Sequence, residues 1–192
     1  YGPGDSRIAF VHHEWGNLAD ILVVNSKGED RHVVSPRTYT TVGHDEELEL
    51  AWLDETRIAF MLSEQGIVCL NIGTHEDSFV VADPTMHMFT VSIDRTKFAY
   101  ISANGFYIGN TADWRPLKIA EFPGDSHTSS KTAEYPGRRP NYWPPSSFQW
   151  APNNDGLVTW SYLGPAWITL EGKRYHIVGK MADIGGTCLR PR

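Results

Sequence analysis

The tetrapeptide Arg7-Ile8-Ala9-Phe10 recurs letter for letter as Arg57-Ile58-Ala59-Phe60. Looser copies stand at Lys97-Phe98-Ala99-Tyr100, behind the turn Asp94-Arg95-Thr96, and at Gly156-Leu157-Val158-Thr159, behind Asn154-Asp155. Anchored on Ile8, Ile58, Phe98 and Leu157, the spacings are 50, 40 and 59 residues. Self-similarity at such a period marks a repeat architecture, whose units bury their apolar faces by stacking on one another.

Within each unit, apolar residues alternate with polar ones, and β-branched and aromatic residues are frequent, as in strands. The first unit predicts strands at 7–13, 20–25 and 31–34, with a hairpin turn at Ser26-Lys27-Gly28-Glu29-Asp30. The second predicts 49–53, 57–62, 66–72 and 78–81; the third 87–93, 97–102, 105–109 and 117–121; the fourth 147–150, 157–162, 166–170 and 174–178. No stretch longer than about ten residues follows the helical period. The expectation is an all-β chain folded as a β-propeller of four-stranded antiparallel blades. One domain, 1–192, would hold four blades at about 1–35, 47–81, 87–121 and 147–179, standing alone or as part of a larger ring. The longest spacing holds an insertion, 123–146, rich in Pro, Gly, Ser and Arg. A loop of that length is functional or a linker.

The two ends of the chain are unlike the middle. In units two to four an innermost strand precedes the turn: Leu50-Ala51-Trp52, Phe89-Thr90-Val91 and Phe148-Gln149-Trp150. The first unit starts too late to have one, and Tyr1 stands where Trp150 stands in the fourth. The segment 183–190 reads as an innermost strand without a unit of its own. It can close the ring by completing the first unit of its own chain. It can complete the first unit of a neighbouring copy and give strand-exchanged polymers, because an unpaired edge is a template for pairing. Alternatively, the chain is a piece of a longer propeller. The opening Tyr1-Gly2-Pro3-Gly4-Asp5 has no initiator Met and is not a signal peptide, which points to a processed product or a fragment.

A formal net charge of -6 argues against nucleic acid as a partner, since that binding wants a basic face. No apolar run approaches the roughly 20 residues that cross a bilayer, so no membrane span is expected. Two cysteines are too few for a disulfide scaffold or a structural zinc site. Cys69, in an apolar strand, is either a buried free thiol or one end of a long-range disulfide to Cys188. Seven Trp and 12% aromatic content point towards an extracytoplasmic (periplasmic or secreted) protein that faces sugar.

The stretch Trp150-Ala151-Pro152-Asn153-Asn154-Asp155-Gly156-Leu157-Val158 resembles the W-S-P-D-G-K-x-I-A-F repeat of TolB-like propellers. Residues Ile21-Leu22-Val23-Val24-Asn25-Ser26-Lys27-Gly28-Glu29-Asp30-Arg31 look like the hairpin of the same family. The resemblance implies the propeller fold; the wider family includes binding scaffolds, peptidase gating domains and polysaccharide lyases. A second similarity is to oligogalacturonate-lyase-like propellers, on His13-Glu14, Gly43-His44-Asp45 and His87. That family's later cluster of metal-binding histidines is replaced here by Tyr142-Trp143-Pro144-Pro145-Ser146-Ser147, which leaves a metal site of that type incomplete.

Among candidate chemical groups, His12, His13 and Glu14 end the first strand, and histidine can act as a base near neutral pH. Adjacent strand residues point to opposite faces, so His12 and His13 cannot line one site together. The acidic run His44, Asp45, Glu46, Glu47 and Glu49 is either a cation site at the end of the ring axis or a solvated loop. His87 leads into an innermost strand, next to the channel where propeller ligands often sit. In the insertion, Tyr135, Arg138, Arg139, Tyr142 and Trp143 suit stacking on sugar rings and gripping of anionic groups. Trp52, Trp150, Trp160 and Trp167 lie in strands and are expected to pack between blades. A phosphate loop, zinc-ligand spacing and a nucleophile elbow are all missing, so no cofactor and no metal are expected. The leading expectation is a non-catalytic extracytoplasmic module that contacts protein or glycan and self-assembles by strand exchange, 185–190 of one copy pairing with 7–13 of the next. The alternative is a polysaccharide lyase or hydrolase working through His13, His44 and His87. A peptidase gating domain would need a catalytic domain beside it.

Overall fold

The computed structural model describes residues 2, 4, 6–13, 18–40, 49–62, 64–103, 105–121, 147–161 and 164–176. They form antiparallel sheets and no α-helix. The first sheet holds β1 (Arg7–His13), β2 (Leu18–Asn25), β3 (His32–Val33) and β4 (Tyr39–Thr40). The second runs β5 (Leu50–Trp52), β6 (Arg57–Leu62), β7 (Gly66–Asn71) and β8 (Glu76–Ala82) in sequential order. The third repeats that meander with β9 (Met86–Val91), β10 (Lys97–Ser102), β11 (Gly105–Asn110) and β12 (Leu117–Glu121). The fourth does so with β13 (Ser147–Trp150), β14 (Gly156–Ser161), β15 (Gly164–Thr169) and β16 (Arg174–His176). These are propeller blades, as the repeat implied.

Both faces of a middle blade are buried, and the two-residue period of a strand shares them out. On β6, Ile58, Phe60 and Leu62 pack against Ala19, Ile21, Val23 and Tyr39 of the first sheet. Ala59 and Met61 turn the other way and meet Phe89, Phe98 and Tyr100 of the third. On β10 the division repeats: Phe98 and Tyr100 face the second sheet, Ala99 and Ile101 face Phe148, Trp150, Leu157 and Ile168 of the fourth. Three cores thus join neighbouring blades in series, and among the described residues no core cluster joins the first sheet to the fourth.

The turns between first and second strands are built from local aspartates. Asp54 Oδ1 accepts hydrogen bonds from Thr56 N–H, Thr56 Oγ1 and Arg57 N–H. Burial alone would raise the Asp54 carboxyl, but these donors and the Arg57 guanidinium hold it below its ordinary value. Asp94 Oδ1 accepts from the Ser92 hydroxyl, Thr96 N–H and Thr96 hydroxyl. That set, led by the Ser92 hydroxyl, brings the carboxyl down to about 2. Gly66 and Gly105 open the third strands of their blades at φ 131° and 139°. A Cβ there would stand 2.1 Å from the Val81 and Ala120 carbonyl oxygens respectively, so only glycine fits.

The first sheet departs from the single outer strand expected at 31–34. Its outer side is split, β3 pairing with Leu22 and Val23 of β2, and β4 with Leu18 and Ala19. Between them Ser35 Oγ accepts the Ile21 N–H at 3.2 Å, and the Val34 N–H returns to the Ile21 carbonyl. Pro36 follows and has no N–H to extend the ladder, so the chain steps away before β4 forms.

Candidate functional site

The second strand of each later blade is flanked on both sides: β6 by β5 and β7, β10 by β9 and β11, β14 by β13 and β15. Their counterpart β1 pairs with β2, and among the described residues no strand pairs with its other edge. The adjoining turn is nevertheless complete. In the later blades the residue after the inner strand donates its N–H back to the first carbonyl of the second strand: Leu53 to Arg57, Ser92 to Lys97 and Ala151 to Gly156, each at 2.9 Å. In the first blade Gly2 donates to the Arg7 carbonyl at 2.7 Å, the same bond one blade earlier. Gly2 therefore holds the place of Leu53, Ser92 and Ala151.

The missing inner position has a defined register. Trp52, Ala51 and Leu50 stand opposite Ile58, Ala59 and Phe60. Val91, Thr90 and Phe89 stand opposite Phe98, Ala99 and Tyr100. Trp150, Gln149 and Phe148 stand opposite Leu157, Val158 and Thr159. Among the described residues the inner edge of β1 is thus an unpaired slot along Ile8, Ala9 and Phe10. Its floor is fixed by Arg7, whose guanidinium lies 5.3 Å from the Trp52 ring centroid and donates to the Glu55 carbonyl. A Cβ on Gly2 would come within 3.2 Å of Trp52 Cε2, so the indole is held between Gly2 and Arg7. On the outward face Arg31 covers Phe10 at 5.7 Å.

His13 ends β1 and is exposed; His12 before it is half-buried. His87 is exposed near the start of β9. A second strand ends at the same edge of a blade where its inner strand begins, so His13 and His87 lie at the same end of the sheets. His44 lies outside the described residues, as do Asp45, Glu46 and Glu47 of the acidic run. Glu49 is described: its Oε2 accepts the Phe89 N–H at 2.9 Å, tying the approach to β5 to the inner strand of the next blade. Among the described residues no group of three or more His, Cys, Asp or Glu is gathered to hold a metal ion. Tyr135, Arg138, Arg139, Tyr142 and Trp143 all lie outside the described residues, as does Cys188 with the segment 183–190. Cys69 is half-buried on β7, and burial pushes its thiol up.

Of the tryptophans, Trp52 and Trp150 pack between blades as expected, whereas Trp160 and Trp167 are half-buried on the far face of the fourth sheet. One polar cluster had no signal in the repeat. Tyr39 Oη donates to Asp77 Oδ2 at 2.8 Å, Arg37 Nε donates to the same oxygen at 3.1 Å, and His75 Nδ1 donates to the Val34 carbonyl. Burial first, then Asp77, pushes the Tyr39 phenol up. The cluster pins the split outer strand of the first blade to the second. It belongs to the 35–40 loop, which has no counterpart in the other units.

No family model matches the chain, and no characterised protein matches it in sequence. Solved structures do match in fold. TolB from Acinetobacter baumannii aligns over 93% of this chain and 43% of its own, at 14% identity and a TM-score of 0.59. An oligogalacturonate lyase in complex with manganese aligns over 86% of this chain and 45% of its own, at 16% identity and a TM-score of 0.52. Oligogalacturonate lyase from Vibrio parahaemolyticus aligns over 88% and 48%, at 16% identity and a TM-score of 0.53. The chain spans less than half the length of each. With blade order, shared register and these likenesses together, the fold is that of a β-propeller, similar to the propellers of TolB and oligogalacturonate lyase.

Proposed function

We propose that this chain is a non-catalytic extracytoplasmic binding and assembly module that contacts protein or glycan. The observation that carries the reading is that, among the described residues, no strand pairs with the inner edge of β1, beside a turn already set for an inner strand. An unpaired strand edge flanked by half-buried apolar residues recruits an extended segment. In its most specific form the segment 185–190 of one copy pairs with 7–13 of the next, and copies assemble by strand exchange. The aromatic-rich insertion, with Tyr135, Arg138, Arg139, Tyr142 and Trp143, supplies the glycan-facing contacts. No helix among the described residues is long and apolar enough to cross a membrane. Light scattering on the 192-residue chain tests the assembly, with mass rising with concentration as the expected result. A strict monomer that stays monomeric after removal of 183–192 rejects it.

The enzyme reading keeps one support, the placement of His13 and His87 at one end of the sheets. It requires both imidazoles and that of His44 to converge on one substrate atom. Unsaturated product released from oligogalacturonate in the presence of Mn2+, and lost in His13→Ala and His87→Ala, would establish it in place of the binding role.

A further inference from the structure

We infer that the joint between the first two blades binds one buried water, which bridges the Trp52 indole N–H to the Arg7 carbonyl in a cradle that exists because Gly2 has no side chain. The inference goes beyond the binding reading and does not depend on what pairs with β1. Trp52 is 7% exposed, and its Nε1 meets no hydrogen-bond acceptor among the described residues. An indole N–H can only donate, and a buried donor without an acceptor costs the fold its full desolvation. The feature belongs to the repeat and not to the first turn alone. Trp150, 6% exposed, carries the same unmet donor in the fourth blade. Both residues close an inner strand, Trp52 opposite Ile58 and Trp150 opposite Leu157. Their counterpart in the third blade is Val91, opposite Phe98, which has no polar side-chain atom to satisfy.

The residues one blade earlier follow the same alternation. Gly2 lies against Trp52, Leu53 shares a core with Val91, and Ser92 holds the place of Gly2 in the blade before Trp150. A small residue thus precedes each indole and a large one precedes the valine. At Trp52 the geometry is explicit. A Cβ on Gly2 would stand 3.2 Å from Trp52 Cε2, the carbon bonded to Nε1, and 3.3 Å from the Arg7 carbonyl oxygen. The donor edge of the indole and that carbonyl therefore converge on the flank of Gly2. The carbonyl accepts the Gly2 N–H at 2.7 Å and has a second lone pair. A water accepts from the indole and donates to that lone pair, which gives it two of the two to four partners that a buried water makes. An ion does not suit the place. The Arg7 guanidinium lies over the ring face, 5.3 Å from its centroid, and donates to the Glu55 carbonyl, while the rest of the joint is an apolar core. Burying an unpaired charge there costs far more than burying a water.

Magnetic resonance of the 192-residue chain tests the site, with the indole resonances assigned through bonds. The Trp52 indole N–H should exchange at least about tenfold slower than in denaturant and show a direct NOE to a water proton. Gly2→Ala fills the cradle. The water contact at Trp52 should then vanish, while the Trp150 indole, in a joint that Gly2 does not touch, keeps its chemical shift. A second readout works by sign. Replacing the Trp52 indole with benzothiophene keeps the shape and puts sulfur in place of the N–H. With water bound, the replacement loses a hydrogen bond, and the folding equilibrium constant should fall about fivefold. With the donor unmet, the same replacement raises that constant. Four results overturn the inference: exchange of the Trp52 indole at the denatured rate, a protected indole with no water contact, a water contact that survives Gly2→Ala, or an isostere that stabilises the fold. So does a high-resolution crystal structure in which Trp52 Nε1 donates to a protein acceptor.

Discussion

Arg7-Ile8-Ala9-Phe10 and Arg57-Ile58-Ala59-Phe60 are the same four residues in the same kind of strand, with different surroundings. Ile58 and Phe60 are 0% exposed; Ile8 and Phe10 are only half-buried. β6 has a strand on each side and a sheet on each face, whereas among the described residues β1 has β2 on one side and the second sheet on one face. Local sequence makes the strand in both places, by alternation and turn chemistry. Burial, and with it most of the stability, comes from neighbours that the tetrapeptide does not encode.

Paired substitutions sharpen this contrast most. Phe60→Ala should cost about 3–5 kcal/mol, because it empties a site closed on both faces. Phe10→Ala should cost about 1–2 kcal/mol, the value of partial burial. Guanidinium denaturation curves for the two variants check the difference, and equal costs would show that β1 is as enclosed as β6. Next in size, Gly105→Ala and Gly66→Ala should each cost roughly 1–3 kcal/mol through backbone strain against the facing carbonyl. That effect is independent of the β1 edge and calibrates what a fully built blade loses.

Smaller effects belong to the joint between the first two blades. Arg7→Ala removes the guanidinium from the Trp52 face and from the Glu55 carbonyl, at an expected cost of about 0.5–1 kcal/mol. Arg57→Ala loses the ion pair to Asp54 instead, so the twin arginines separate cation–π packing from a local salt bridge. The smallest expected effect is one of pH. Asp94 is held at about 2 in the fold, below its unfolded value, so its contribution is present above about pH 4. It is lost as pH falls through the folded value. Exposure limits it to about 0.5 kcal/mol, and Ser92→Ala should flatten that part of the acid-unfolding profile.

The blades were legible because the chain writes the same turn and alternation in each unit. Asp54 and Asp94 cap turns in the same way, and Ile58 and Phe98 point to corresponding faces. What was not legible has no repeat partner. β4 and the Tyr39–Asp77–Arg37 cluster arise from a loop unique to the first blade, and Tyr39 becomes polar glue only because Asp77 of another unit lies beside it. Glu49 read as one member of an acidic run; the structure gives it a backbone N–H on the next inner strand, a partner 40 residues away. Of the candidate histidines, adjacency on a strand correctly separated His12 from His13, but spacing alone gave no measure of how open their end of the sheets is.

Hydrogen–deuterium exchange across β1 and β6 tests the central claim most directly. In the 192-residue chain the amides of 8–11 should be protected to a degree approaching those of 58–61, and deletion of 183–192 should release the first set by at least about tenfold while leaving the second unchanged. Exchange at 8–11 that is already fast in the full chain, or that ignores the deletion, would contradict an inner edge filled by that segment.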